Sequence, residues 1–295
     1  MLFVPRRNKL MMQTVGKKTA HPTLLQTYSF QRVDKNMNRP LSNDMKCLLR
    51  SMVRGESVSI SGATLRGLTI RGFCDQEGSL TLKGWQEAVT MLPLAEQCRL
   101  LGVTYEKLAG LSYGKQPELE ALRYYATQGY IGAYCEGGPI LLLIRSAALD
   151  TLAQLNIFGR GDACTRFTEA QLIINRENSN LILNAIRASD VDHVVRHFEE
   201  IYTSPMVKEW YPGLNIDTMA SLFATIGAER LAQITTVIME DPSYRAGWPD
   251  LTMVNGAEML WVEVKTTDRL HMSQISTIHR MKPLLPGDVR VVQLV

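Results

Sequence analysis

The chain has 295 residues, is 45% hydrophobic and carries a formal net charge of +3. That length and apolar content suffice for a sizeable core and for two domains, which excludes a disordered or fibrous chain. Five cysteines, odd in number and without a CxxC pair, argue against a disulfide framework or a cysteine zinc site, and neither a cleaved secretory signal nor an apolar run of membrane-spanning length is read.

Residues 1–40 hold eight Lys and Arg (Arg6, Arg7, Lys9, Lys17, Lys18, Arg32, Lys35, Arg39) against Asp34 alone, so the remainder of the chain is net acidic. This lead reads as a basic, flexible arm able to touch phosphates; a transit or delivery signal and a plain solvated terminus are the alternatives. Residues 41–112 read as a small, mostly helical module, with helices over 45–53 and 81–101. Ser57-Val58-Ser59-Ile60 and residues 68–73 read as short strands or helix ends, and Asp75-Gln76-Glu77-Gly78 as a turn. That outline permits a winged-helix-like module with Arg50, Arg54, Arg66, Arg71 and Lys83 on duplex phosphates. It equally permits a packing module with ordinary surface arginines.

A helix is then predicted from Lys115-Gln116-Pro117-Glu118 through Tyr130, and an apolar helix over 140–155. Glu136 directly precedes the second of these, where the helix dipole favours an acid whatever its chemical role. Residues 156–244 read as a helical insertion, with helical spacing over 181–186, 191–201 and 219–239 broken by Pro205, Pro212 and Gly213. His193 and His197 sit four apart and could face one metal. The segment lacks the internal Glu of a zinc-protease helix, so it is read as an ordinary helix face.

The chemistry concentrates at Gly247-Trp248-Pro249-Asp250-Leu251 and Trp261-Val262-Glu263-Val264-Lys265, a PD…ExK pattern. Residues 251–254 form a β-type run, Asn255-Gly256 reads as a two-residue hairpin turn, and residues 258–265 alternate as a second strand. Alternation sets Leu260, Val262 and Val264 on one face and Trp261, Glu263 and Lys265 on the other. Hairpin pairing brings Asp250 near the level of Glu263 or Lys265, so two carboxylates converge. Mg²⁺ prefers such oxygens while keeping waters and a substrate phosphate, and Lys265 can stabilise the attacking hydroxide or the developing phosphorane charge. A helix with Leu270, Ile275, Ile278 and Met281 on its inner face follows, capped by Thr267 or Asp268, and 289–295 reads as a closing strand reached by a right-handed crossover.

These residues, continued through Asp268-Arg269-Leu270-His271-Met272-Ser273-Gln274, resemble the virus-type replication-repair nuclease (VRR-NUC) domain of the PD-(D/E)xK superfamily, most closely Fanconi-associated nuclease. The resemblance implies an α/β, restriction-endonuclease-like mixed sheet flanked by helices, spanning 113–295 with the helical insertion inside it. It implies that Asp250 and Glu263 bind Mg²⁺ or Mn²⁺ with the backbone carbonyl of Val264, that Lys265 is catalytic, and that Gln274 lies beside the site. It also implies an upstream acid, for which Glu136 in Cys135-Glu136-Gly137-Gly138 is the best match and Glu169, Glu199 and Glu200 are the lesser ones. Gln274 or Arg245 would position substrate.

The expected function is a Mg²⁺- or Mn²⁺-dependent DNA endonuclease. Compact VRR-NUC proteins occur as antibacterial effectors of type VI secretion, and the reading leans to that role. It implies a cognate immunity protein, a secretion-apparatus partner, and a cytoplasmic protein delivered into a target cell, with no membrane partner and no legible dimer interface. A repair or phage-replication nuclease cutting branched DNA is the alternative, and a non-catalytic DNA-binding protein is the third reading.

Overall fold

The apolar alternation around the ExK segment is satisfied on both sides of a sheet. In the computed structural model, which describes residues 39–57, 61–112 and 114–295, β3 (Leu251–Asn255) and β4 (Glu258–Lys265) pair antiparallel with Leu251 opposite Val262 and Asn255 opposite Glu258. Leu260, Val262 and Val264 pack with Leu251, Met253 and Val292 in one core, while Trp261 enters the larger core on the other face. The turn is Gly256-Ala257, one residue later than expected. Asn255 stays in the strand, its amide donating to the Gln128 carbonyl, and Gly256 takes the left-handed φ of 57°.

α14 (Met272–Met281) carries the chain from β4 to β5 (Asp288–Leu294), which runs parallel to β4. β1 (Thr104–Leu108) adds parallel to β5 at one edge, and β2 (Ile131–Ala133) adds antiparallel to β3 at the other. The sheet is therefore mixed and five-stranded in the order β1-β5-β4-β3-β2. Ile275, Ile278 and Met281 face the core from α14, as their spacing requires, whereas Leu270, expected on the same helix face, precedes the helix and is buried there.

Residues 41–295 form one compact unit. At its start, α1 (Asn43–Arg54), α2 (Gly62–Ile70), α3 (Leu82–Thr90) and α4 (Leu94–Leu101) are helical. Residues 68–70 are thus a helix end, and the helix expected over 81–101 is two, split at Pro93 where the proline cannot donate to the preceding turn. Among the described residues the only β-type pairing here is the bridge Cys74–Leu80, too short for a wing. The expected boundary near 112 falls after β1, whose pairing with β5 ties these residues to the sheet. Most of the basic arm and Val58-Ser59-Ile60 lie outside the described residues.

After α5 (Pro117–Ala126) and β2, α6 (Gly138–Leu155) runs through the core with thirteen buried residues. Contrary to the sequence expectation, its 18 residues are long and apolar enough to cross a membrane by length and composition. Burial inside the protein accounts for that composition instead, and its Arg145 is held by the Thr168 hydroxyl and the Cys164 carbonyl. Around it stand α7 (Arg160–Thr165), α8 (Thr168–Ile174), α9 (Ser179–Ala188), α10 (Val191–Ile201), α11 (Pro205–Trp210), α12 (Ile216–Ile226) and α13 (Ala228–Glu240). The helical run expected over 219–239 breaks at Gly227, whose φ of 77° ends α12.

Candidate active site

Asp250 precedes β3, and its Oδ2 accepts the Val264 N–H of β4 at 2.8 Å. A strand residue directs its N–H and C=O to the same edge, so the Val264 carbonyl faces the Asp250 side as well. Glu263, on the opposite face of β4 from Val264, is 1% exposed and lies 2.9 Å from Lys265 Nζ. Lys265 also reaches Asp268 at 3.2 Å. Asp268 is therefore a partner of the lysine, and the cap of α14 is His271, whose N–H is accepted by Gln274 Oε1 at 2.9 Å in a capping box. The other end of the Gln274 amide donates to Glu263 Oε1. Gln274 thus braces the Glu263 carboxylate.

Glu136 is brought to this site by packing that is remote in sequence. It sits in the loop between β2 and α6 with φ 46°, a conformation uncommon for a residue with a side chain and frequent at functional sites. Directly after it, a Cβ on Gly137 would stand 2.6 Å from the Trp248 ring, so the loop rests on the indole beside Pro249 and Asp250. Trp248 is itself buried, with its ring N–H donating to the Tyr244 carbonyl at 2.9 Å. Gly247 is needed for a second close approach. Its Cβ would fall 2.3 Å from the Ser273 backbone at the start of α14, and its φ is 77°.

Glu136 and Asp250 line one open cleft of about 540 Å³ together with Glu118, Tyr134, Glu209 and Trp210. Glu118 from α5 and Glu209 from α11 were not singled out as site residues by sequence, since each reads as an ordinary helix acid. Arg245 is exposed and outside the cleft lining, and Glu200 is engaged by Arg160. A separate apolar cavity of about 300 Å³ between Leu155, Phe158 and Ile174 has no carboxylate in its lining.

Electrostatically the cleft is over-supplied with negative charge. Burial, with Glu118 and Glu136 adding to it, pushes Asp250 up to about 6 although the Val264 N–H and Lys265 act the other way. Burial and then the Asp250 charge push Glu263 up to about 8. Lys265 is held above its ordinary range, since Glu263 and Asp268 outweigh the opposing effect of burial. These directions conflict at the Glu263–Lys265 contact, one favouring a neutral acid and the other requiring a carboxylate. Lys265 is the charged member, because Asp268 supports it as well, and the Asp250 and Glu263 carboxyls are both held toward their protonated forms. Glu263 Oε2 is buried with no hydrogen-bond partner. An orphaned carboxylate oxygen beside a second, half-buried carboxylate fits a divalent cation, which would displace a proton from the pair.

No protein-family model matches the chain, and no curated protein matches it by sequence. Among solved structures, the chain is similar to paFAN1 bound to 1-nt 5′-flap DNA with a gap, at 19% identity and a TM-score of 0.52 over 84% of this chain and 48% of that one. A second paFAN1 structure, with 2-nt 5′-flap DNA, gives 19% identity and a TM-score of 0.49 over 85% and 51%. The chain thus spans about half the length of paFAN1. The mixed α/β sheet flanked by helices is the fold shared with paFAN1, in accord with the resemblance read from Asp250, Glu263, Lys265 and Gln274.

Proposed function

We propose that this protein is a divalent-metal-dependent DNA nuclease acting on branched duplexes. The observation that carries the reading is the convergence of Asp250 and Glu136 on one cleft, with Asp250 bonded to β4 between Glu263 and Lys265. Asp250, Glu263, Glu136 and the Val264 carbonyl would hold Mg²⁺ or Mn²⁺, whose chemistry when bound is to neutralise phosphate charge and acidify water. Lys265, fixed by Glu263 and Asp268, offers its ammonium to the charge that builds on the phosphoryl oxygens during attack. Gln274 keeps the Glu263 carboxylate in one orientation.

Flap DNA as the substrate class is supported by the fold likeness to a protein crystallised on 5′-flap DNA. We therefore prefer the alternative reading, a repair or phage-replication nuclease cutting branched DNA, over the secreted effector with its immunity protein. The test is cleavage of plasmid and of 5′-flap oligonucleotides with Mg²⁺, Mn²⁺ or EDTA. Wild type should cut with metal only and prefer the flap, while Asp250→Ala and Lys265→Ala should each lose at least about 100-fold in rate. Undiminished cutting by both variants would refute the site, and binding without cutting under either metal would favour a non-catalytic DNA-binding protein.

A further inference from the structure

α6 and α10 bring Asp150, His193 and His197 together, with one ligand atom from each lying within 4.8 Å of the others. In sequence the two histidines, four apart on α10, lack a third donor. The packing of α6 against α10 supplies it. His197 is buried, and its Nδ1 lies 3.0 Å from the Ser146 carbonyl, so this nitrogen carries a proton and donates. Its Nε2 faces Asp150 Oδ1 at 3.4 Å and is the ring nitrogen that a cation between them would take in place of a proton. The His193 and His197 rings meet edge to face at 4.2 Å. A ring whose far nitrogen is tied to a backbone group has its tautomer and direction set, which is how metal-ligating imidazoles are held.

The charges nearby permit an ion. Arg160 donates to Asp150 Oδ1 at 2.6 Å, but it also grips both oxygens of Glu200 at 2.6 and 2.7 Å, so its charge is already balanced. Asp150 is exposed, and its carboxylate keeps acceptor capacity for a cation beside the Arg160 bond. Two neutral imidazoles and a carboxylate suit Zn²⁺ and its first-row neighbours, and are too soft a set to prefer Mg²⁺. We propose that Asp150, His193 and His197 form a zinc-type site that fastens α6 to α10. It is distinct from the cleft, since Asp150 lies about 20 Å along α6 from the Glu136 end at the rise of an α-helix. It does not depend on the nuclease reading.

The experiment uses the full chain carrying Asp250→Ala, which removes one of the carboxylates proposed to hold metal in the cleft, titrated with Co²⁺. The expected result is one Co²⁺ per chain with visible d–d absorption, displaced by Zn²⁺, and a higher melting temperature in Zn²⁺. Adding His193→Gln, at a half-buried position that leaves the core intact, should lower Co²⁺ affinity at least about tenfold and remove the Zn²⁺ effect on melting. Absence of stoichiometric Co²⁺ binding in the Asp250→Ala protein, or binding and melting unchanged by His193→Gln, would overturn the proposal.

Discussion

At the residue scale, the candidate site conflicts with stability. Asp250 is pushed up to about 6 by burial, so relative to the unfolded chain it takes up a proton between about pH 4 and 6. Its favourable contribution is complete below about pH 4 and is lost as pH rises through 6. Asp250→Asn removes that loss, and the amide oxygen can still accept the Val264 N–H. With EDTA present, the variant should therefore be more stable than wild type at pH 8 by on the order of 1–2 kcal/mol, after allowing for solvent contact, with the gain shrinking toward pH 4. Melting temperatures at both pH values check this, and a variant that melts lower at pH 8 would show that Asp250 stabilises the fold. Gln274 makes the opposite case. Gln274→Met should cost about 1 kcal/mol by removing the capping box and should lower kcat by freeing Glu263, readable as a fall in kcat at near-constant KM for DNA.

At the element scale, the hairpin was legible and its assembly with α6 was not. Asp250, Glu263 and Lys265 lie within sixteen residues, and strand alternation alone puts Glu263 and Lys265 on one face. Even there the turn slipped by one residue, because the Asn255 side chain bonds to Gln128, a contact local sequence does not encode. Glu136 was found only by resemblance, since its approach to Asp250 depends on Gly137 resting against Trp248, 111 positions further on. Glu118 and Glu209 gave no signal, because an acid at a helix start or on a short helix is expected on general grounds. The Gly137 contact predicts a specific defect. Gly137 has φ −72°, which alanine adopts freely, so Gly137→Ala acts by sterics alone. It should push the Glu136 loop off the indole and weaken Mn²⁺ binding measured by calorimetry, with Trp248→Phe in the same chain recovering part of the loss. Full Mn²⁺ affinity in Gly137→Ala would mean that Glu136 is not held in place by this contact.

At the scale of the whole molecule, charge is arranged against the substrate it is proposed to bind. The chain beyond residue 40 is net acidic, and Glu118, Glu136, Glu209 and Asp250 line the cleft. A duplex approaching without a cation is therefore repelled near the chemistry, and long-range attraction must come from basic segments elsewhere. Residues 1–40, with eight cationic side chains and one acid, are the richest such segment. Removing them leaves the compact unit 41–295, which contains every residue assigned to the cleft. This shortened chain should bind flap DNA more weakly at low salt, and its plot of log affinity against log salt should be shallower by about 0.9 for each phosphate the arm neutralises. At saturating DNA its cleavage rate and metal requirement should match the full chain, because the arm would contribute to encounter and not to the reacting geometry. Fluorescence anisotropy across a KCl series separates the two effects. An unchanged slope would assign the phosphate contacts to the body and leave the arm a solvated terminus.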